Sequence, residues 1–107
     1  MHTDLSDLGR FSDPSLLILS SLAGGPKHGY AMMQDIEQFN GTRLEPGTLY
    51  GALARLERQG WIEPLPAEDR RRPYRLTGAG ATALRQHLRS MRKVVTVGLQ
   101  RLNTAEG

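Results

Sequence analysis

The segment 45–62 has the clearest pattern of apolar and polar positions in the chain. A helix turns by roughly 100° per residue, which places three leucines of this segment on one face and predicts a buried stripe. Pro46 suits the first helical position. Gly60 suits a left-handed residue directly after the helix, which would let Trp61 pack back on Leu56. The predicted stripe consists of Leu49, Leu53 and Leu56.

The opposite face of this predicted helix is almost bare of side chains. It carries Gly47, Gly51 and Ala54, although each glycine costs about 1 kcal/mol relative to alanine in a helix. A helix needs such residues where its backbone must approach another molecule closely. Because polar and basic residues flank the bare face, we expect it to enter a nucleic-acid groove. The flanking residues are Thr48, Tyr50, Arg55 and Arg58.

Two further helices are predicted before this segment. Asp13 and Pro14 form a helix start, and the apolar run that follows them to Ala23 predicts a helix at the centre of the core. A second helix is predicted over about 28–38. Residues 1–12 predict a short helix that must dock on another element. The apolar positions are Leu5, Leu8 and Phe11 in the first segment, and Tyr30, Met33 and Ile36 in the second helix.

After the third helix the pattern changes to that of extended chain. The runs 61–65 and 73–76 predict two short strands, in which Pro64 and Pro73 are tolerable only at edges. The residues 66–72 between them are polar and turn-like, so we expect a two-stranded hairpin with a charged tip, which must lean on the helices. The arginines of this hairpin are Arg70, Arg71, Arg72 and Arg75.

A long final helix is predicted from the N-cap Thr77 to about Asn103. Its apolar residues step by three or four positions and form a coiled-coil-like seam. A helix of about 40 Å exceeds what the small core can cover. We therefore expect the seam to pair with a second copy of the chain; the alternative is a helix folded back on its own domain. The seam consists of Leu84, Leu88, Met91, Val95, Leu99 and Leu102.

The order of these elements predicts a mostly α (α+β) fold, the winged helix-turn-helix. In this fold the third helix enters the major groove of DNA, and the two-stranded ribbon, or wing, lies beside the backbone or reaches the minor groove. Residues 1–76 would form the N-terminal segment and the DNA-binding domain, and residues 77–107 the dimerisation helix.

Composition narrows the class of protein. The 107 residues indicate one domain, and the lack of cysteine excludes a disulfide scaffold and fits a reducing cytoplasm. No apolar run reaches about 18 residues and the N-terminus lacks the regions of a secretion signal, so we expect a cytoplasmic protein without membrane contact. The three histidines show no metal-ligand spacing, and no nucleophile elbow or phosphate loop is present. No enzyme activity, metal site or cofactor is predicted.

The distribution of charge indicates the partner. The net charge is only +3, but every charged residue from Arg70 to Arg101 is basic. Such asymmetry favours an anionic partner. The alternative interpretation is a solvated basic helix.

From residue 16 to residue 84 the chain resembles the PadR family of bacterial transcriptional regulators. The resemblance implies a winged-helix repressor that dimerises through its C-terminal helix and binds a two-fold symmetric operator, and the single long terminal helix resembles the short subfamily. The matching pieces are Leu17-Ile-Leu-Ser-Ser-Leu-Ala23, His28-Gly-Tyr30, Pro46-Gly-Thr-Leu-Tyr50, Leu53-Ala-Arg-Leu-Glu57, Gly60-Trp-Ile62 and Arg72-Pro-Tyr-Arg-Leu-Thr77.

The resemblance also implies roles for individual residues. Tyr30 would contact the DNA backbone, Thr48 and Tyr50 would lie at the groove, and the wing arginines would hold phosphates or probe the minor groove. Two positions depart from the family pattern: Gly51 stands where proline is frequent, and Gly78 where an acidic residue is frequent. The first departure bears on the fit to the groove, and the second on the cap of the last helix.

Several of these residues have a simpler interpretation. Tyr30 could be a core aromatic, and Arg55 and Arg58 could pair with nearby acids. The acids before the wing arginines could neutralise part of the wing. A winged-helix domain could also bind protein or RNA without reading DNA sequence. The nearby acids are Glu57 and Glu63 for the helix, and Glu68 and Asp69 for the wing.

The resemblance further implies a small hydrophobic or aromatic effector near the dimer interface. The final helix has no tryptophan, and the only one in the chain, Trp61, is expected in the core, which argues against an aromatic stacking site. Met91 could line an apolar pore, although seam packing is the simpler interpretation.

Overall fold

The computed structural model describes residues 13–106; the predicted N-terminal helix over 1–12 lies outside the described residues. Three helices precede a small sheet, and a long helix follows it, which confirms the predicted winged helix-turn-helix fold class. The elements are α1 (Pro14–Leu22), β1 (Lys27–His28), α2 (Gly29–Asn40), α3 (Pro46–Arg58), β2 (Ile62–Pro64), β3 (Pro73–Leu76) and α4 (Gly78–Glu106).

Helix α1 is the centre of the core, as its apolar run predicts. The Asp13 side chain accepts a hydrogen bond from the Ser15 N–H at 2.8 Å, and Pro14 occupies the first turn, so the helix begins with both predicted signals. Its apolar residues pack against α2, α3 and the first turns of α4. The buried residues of α1 are Leu17, Ile18, Leu19, Ser21 and Leu22.

Helix α2 is buried on a face displaced from the predicted one. Gly29, Met32 and Ile36 are buried, whereas Tyr30 is 56% exposed, so the interpretation of Tyr30 as a core aromatic is wrong. The cause is the close approach of α3. A Cβ atom at Gly29 would lie 2.7 Å from the Tyr50 hydroxyl and 3.2 Å from a Leu49 methyl group, so α2 meets the side chains of α3 closely at this residue.

Helix α3 has the predicted buried stripe and the predicted ends. Its three leucines are buried together with Ala52. Gly60 has a φ of +77°, its N–H donates to the Glu57 carbonyl at 3.0 Å, and the Trp61 N–H donates to the Leu56 carbonyl at 3.1 Å. This pair of bonds is a Schellman motif, which satisfies carbonyls that the helix end would otherwise leave without partners.

The sheet has three strands, so the prediction of a two-stranded hairpin was incomplete. The order is β1-β3-β2, antiparallel throughout, with Lys27 opposite Tyr74 and Ile62 opposite Leu76. Two residues are too few to show the alternation of a strand in sequence. Strand β1 forms because the outer edge of β3 offers it unpaired backbone groups. The Lys27 ammonium also anchors it on the Ser21 carbonyl at the end of α1.

Thr77 joins α3, the wing and α4 at one point. Its hydroxyl donates to the Gly60 carbonyl at 2.7 Å and accepts the Gly80 N–H at 3.0 Å, which confirms its predicted role as N-cap. Its own N–H donates to the Trp61 carbonyl at 3.0 Å. A Cβ atom at Gly80 would clash with that same Trp61 carbonyl, so glycine is required for the close approach of α4.

Helix α4 leaves the domain after its first turns. Leu84 is buried in the core of its own domain, which excludes it from the exposed part of the predicted seam. Of the later seam residues, Met91 is half-buried, whereas Leu88, Val95, Leu99 and Leu102 are 43–61% exposed. The alternative of a helix folded back on its own domain therefore finds no support in the described residues. Within the same part of the chain, no helix is long and apolar enough to cross a membrane.

The tight approach at Gly80 predicts a selective effect on stability. Gly80→Ala should lower the free energy of unfolding by about 1–3 kcal/mol, because the added methyl group must displace backbone. Gly78→Ala is the matched control, since a Cβ at Gly78 meets nothing within 4 Å. Urea unfolding should show a clear loss for Gly80→Ala alone; equal midpoints for both variants would contradict the packing described above.

Candidate nucleic-acid interface

The exposed face of α3 is as bare as its sequence predicts. A Cβ atom at Gly47 or Gly51 would meet nothing within 4 Å, so neither glycine is needed for packing inside the chain. Thr48 and Ala54 are exposed beside them, and Tyr50 is 55% exposed at the edge of the face. The face is open, nearly flat and free for close contact with another molecule.

Arg55 and Arg58 lie in the last turn of α3, where positive charge also favours the negative end of the helix dipole. The alternative of pairing with acids is not observed in the described part of the chain, where neither arginine forms an ion pair. Arg55 makes only a long contact with the Ser15 hydroxyl, at 3.5 Å. Glu63, one of the two proposed acidic partners, pairs instead with Arg75 on the neighbouring strand.

The tip of the wing holds two side chains in an unusual backbone conformation. Asp69 and Arg70 have φ values of +46° and +65°, and the backbones of Glu68 and Arg71 exchange two hydrogen bonds across them. This is a two-residue type I′ turn, which normally carries Asn-Gly or Asp-Gly. A non-glycine residue in this region costs roughly 1–2 kcal/mol. The turn places the exposed Arg70 at the tip of the wing.

The remaining wing arginines differ in what they contact. Arg72 donates to the Leu65 carbonyl at 3.1 Å, which holds its side chain along the wing. Arg71 reaches back toward α2, where its Nη1 lies 3.3 Å from Nε2 of His28. Arg75 is paired with Glu63, so its charge is compensated within the wing. The unpaired positive charge of the wing is therefore concentrated at residues 70–72.

A cleft between the wing and the helices brings the predicted residues together. None of the described residues that line it is acidic. Burial raises the pKa of the Tyr74 phenol, and the nearby Glu57 carboxylate acts in the same direction, so this hydroxyl is a neutral hydrogen-bond donor at physiological pH. The cleft is lined by His28, Gly29, Tyr30, Tyr50, Arg70, Arg71, Arg72 and Tyr74.

Three residues that line this cleft were not among the predicted site residues: His28, Gly29 and Tyr74. His28 was taken for the first residue of a helix, but it is the N-cap of α2, and its Nδ1 accepts the Ala31 N–H at 3.3 Å. Tyr74 lies in the predicted strand 73–76, and the strand pattern alone assigns it no role at the site. His28 is also the last residue of β1 and lies opposite Pro73, so the strand pairing places it beside the wing.

In the part of the chain that the structure describes, no group of three or more histidine, aspartate or glutamate residues could hold a metal ion.

The candidate site consists of a bare helix face, an arginine-rich wing tip and the cleft that joins them. Such a surface can accept an anionic polymer through its cations and hydroxyl donors, and its helix can approach a groove without side-chain obstruction.

The chain is similar to curated proteins over most of its length. An uncharacterised 37.1 kDa protein of a transposon from Streptomyces fradiae is 48% identical over 85 residues, which are 79% of this chain and 25% of that protein. This chain therefore spans only a quarter of that relative. A transcriptional regulator of Mycobacterium tuberculosis is 38% identical over 82 residues, which are 74% of this chain and 76% of the relative.

Solved structures share the fold. A PadR family transcription regulator of Clostridium difficile superposes with a TM-score of 0.74 at 26% identity, covering 83% of this chain and 97% of that one. A transcriptional regulator of Clostridium thermocellum gives 0.70 at 31% identity, covering 78% and 86%. The model of the transcriptional regulator PadR-like family matches residues 18–86, which include α2, α3 and the wing. The chain belongs to the PadR-like family of transcriptional regulators.

Proposed function

We propose that this protein is a homodimeric repressor that binds a two-fold symmetric DNA operator. The observation that carries the proposal is the bare face of α3, whose glycines serve no packing inside the chain, next to a cleft lined by arginines and tyrosines. A protein-binding surface would more often present an apolar patch. Tyr50 is the only large exposed apolar residue on α3.

In this proposal, α3 lies in the major groove. Thr48 and Tyr50 lie at the groove, and Gly47 and Gly51 let the helix backbone come close to the bases. Arg55 and Arg58 contact phosphates at the rim. Arg71 and Arg72 hold phosphates beside the groove, and the strained turn aims Arg70 at the minor groove.

The dimer is proposed to form along the exposed seam of α4. Leu88, Val95, Leu99 and Leu102 are exposed in the single chain together with the adjacent Val94, which leaves an apolar stripe without a partner. Pairing of two such stripes would bury it and would place the two α3 helices about 34 Å apart, one turn of DNA.

A small hydrophobic effector is proposed to bind beside this seam. An apolar pocket lies between α1 and α4, and Trp61, which was expected in the core, is half-buried and lines it. An effector that prefers one dimer geometry would shift the spacing of the wings. Because Trp61 is the only tryptophan in the chain, its fluorescence would report occupancy directly. The pocket is lined by Asp13, Ser15, Leu16, Leu19, Trp61, Ala83, Leu84 and His87.

The proposed fit of α3 predicts how two substitutions at Gly51 affect operator binding and stability. Gly51→Leu should abolish operator binding, because a bulky side chain would stand between the helix and the bases. It should leave folding intact, since a Cβ at this position meets no atom of the chain. Gly51→Ala should raise the free energy of unfolding by up to about 1 kcal/mol through helix propensity.

Binding is measured by fluorescence anisotropy on duplexes selected in vitro by the wild-type protein. Circular dichroism and urea unfolding serve as the folding controls. Normal operator affinity of a folded Gly51→Leu variant would mean that this face of α3 does not enter the groove.

The wing predicts a loss of affinity that does not depend on sequence. Replacing both Arg71 and Arg72 by alanine should weaken binding to operator and to random DNA alike, and should lower the slope of log affinity against log salt by roughly 2. The wild-type affinity itself should fall by orders of magnitude between about 50 and 200 mM salt. A protein-binding module would show no such dependence.

The matched control removes two positive charges elsewhere. Arg89 and Lys93 are exposed on α4, outside the cleft. If their joint replacement by alanine changed the salt slope as much as the wing variant does, net charge alone would explain the effect and the wing contacts would be refuted.

If the dimer forms through this seam, one charged residue placed in the seam should convert the protein to a monomer. Leu99→Asp should weaken the dimer more than 100-fold, because about 1.5 kcal/mol or more of apolar burial is lost from each of two copies. Gln100→Asp is the control, with the same new charge at the next, exposed position. Sedimentation equilibrium measures both variants, and a wild-type chain that stays monomeric at micromolar concentration would rule the dimer model out.

A further inference from the structure

His28 makes two contacts that cannot both be hydrogen bonds. Its Nδ1 lies 3.3 Å from the Ala31 N–H and its Nε2 lies 3.3 Å from Nη1 of Arg71. Both neighbours are donors. A neutral imidazole has one accepting nitrogen and one N–H, so it can accept from only one of them.

The cap at Ala31 determines which nitrogen accepts. The Ala31 N–H lies in the first turn of α2, where no carbonyl of the helix can reach it, so loss of the cap would leave a backbone donor without a partner. The Arg71 side chain is exposed and can reach water by rotation. Nδ1 therefore accepts from Ala31, and Nε2 carries the hydrogen.

Two donors then face each other across the cleft. The Nε2–H of His28 and the guanidinium of Arg71 are close enough to share one acceptor placed between them. The acids Glu68 and Asp69 line a second hollow that His28 and Arg71 also border. In the described residues, the only side-chain hydrogen-bond contact of the Arg71 guanidinium is with His28, and neither carboxylate bonds to this pair. The chain thus brings two donors together without supplying the oxygen that would satisfy them.

We propose that His28 and Arg71 jointly bind one phosphate of the DNA backbone. A non-bridging phosphate oxygen accepts hydrogen bonds from both donors, and the hydroxyls of Tyr30 and Tyr50 line the same cleft. The inference rests on the proposed DNA-binding function and adds His28 as a phosphate ligand. The shared phosphate would also join the wing to the start of α2, in addition to the pairing of β1 with β3.

The test replaces His28 with asparagine. Asparagine is among the best N-caps, so His28→Asn keeps the α2 cap but is too short to present a donor beside Arg71. Operator affinity should fall about tenfold, while the urea midpoint stays at the wild-type value. Because the neutral imidazole releases no counterion, the salt slope should not change, in contrast to Arg71→Ala, which should lower it by roughly 1.

A double-mutant cycle tests the shared acceptor. His28→Asn combined with Arg71→Ala should weaken binding by less than the product of the two single effects, because either change leaves the phosphate half-bound. Independent effects would show that the two residues contact different phosphates, and would overturn the proposal.

The imidazole tautomer gives a second measurement that does not depend on the variants. In the free protein at about pH 8, nitrogen NMR of the His28 ring should show a protonated Nε2, and addition of the operator duplex should shift that signal. A protonated Nδ1 would overturn the proposal.

If wild-type protein binds DNA with a steep salt slope while His28→Asn binds equally well, the proposed DNA-binding function stands and the shared phosphate contact of His28 and Arg71 is wrong.

Discussion

The carbonyl group of Trp61 is the point on which the arrangement of the functional elements depends. It accepts the Thr77 N–H, and Gly80 packs directly against it. The same short segment ends α3 through the Schellman motif and begins β2, while Thr77 ends β3 and caps α4. The α3 helix, the base of the wing and the long helix therefore meet within a few residues, and their mutual angles are set by backbone contacts rather than by flexible side chains.

This rigid junction explains how events on α4 could reach the DNA-binding surface. A change in how two α4 helices pair would rotate each junction as a unit, and α3 and the wing would follow. The apolar pocket beside the seam includes Trp61, so a ligand placed there would contact the junction itself. The pocket thus contacts two parts of this route, because it is lined by Trp61, directly after α3, and by Leu84 and His87 on the first turns of α4.

Sequence reasoning succeeded where a local signal decides the structure. The ends of α3, the N-cap of α4 and the bare glycine face are each fixed by residue type and spacing within one or two turns. It failed where a distant element decides. Tyr30 is turned outward because α3 approaches α2 at Gly29. Strand β1 forms because β3 offers an edge, and Leu84 is buried because α4 begins against the core.

The surface proposed for DNA is built from residues that reduce the stability of the isolated domain. Gly47 and Gly51 weaken α3, and Asp69 and Arg70 hold positive φ values where Asn-Gly would relieve the strain. With Nε2 protonated as proposed, His28 and Arg71 also present two donors to each other. The two backbone hydrogen bonds between Glu68 and Arg71 offset part of the cost of the turn, and a phosphate-lined groove would compensate the remaining costs. Concentrated local cost at one surface is thus a physical sign of the partner that this surface is made to bind.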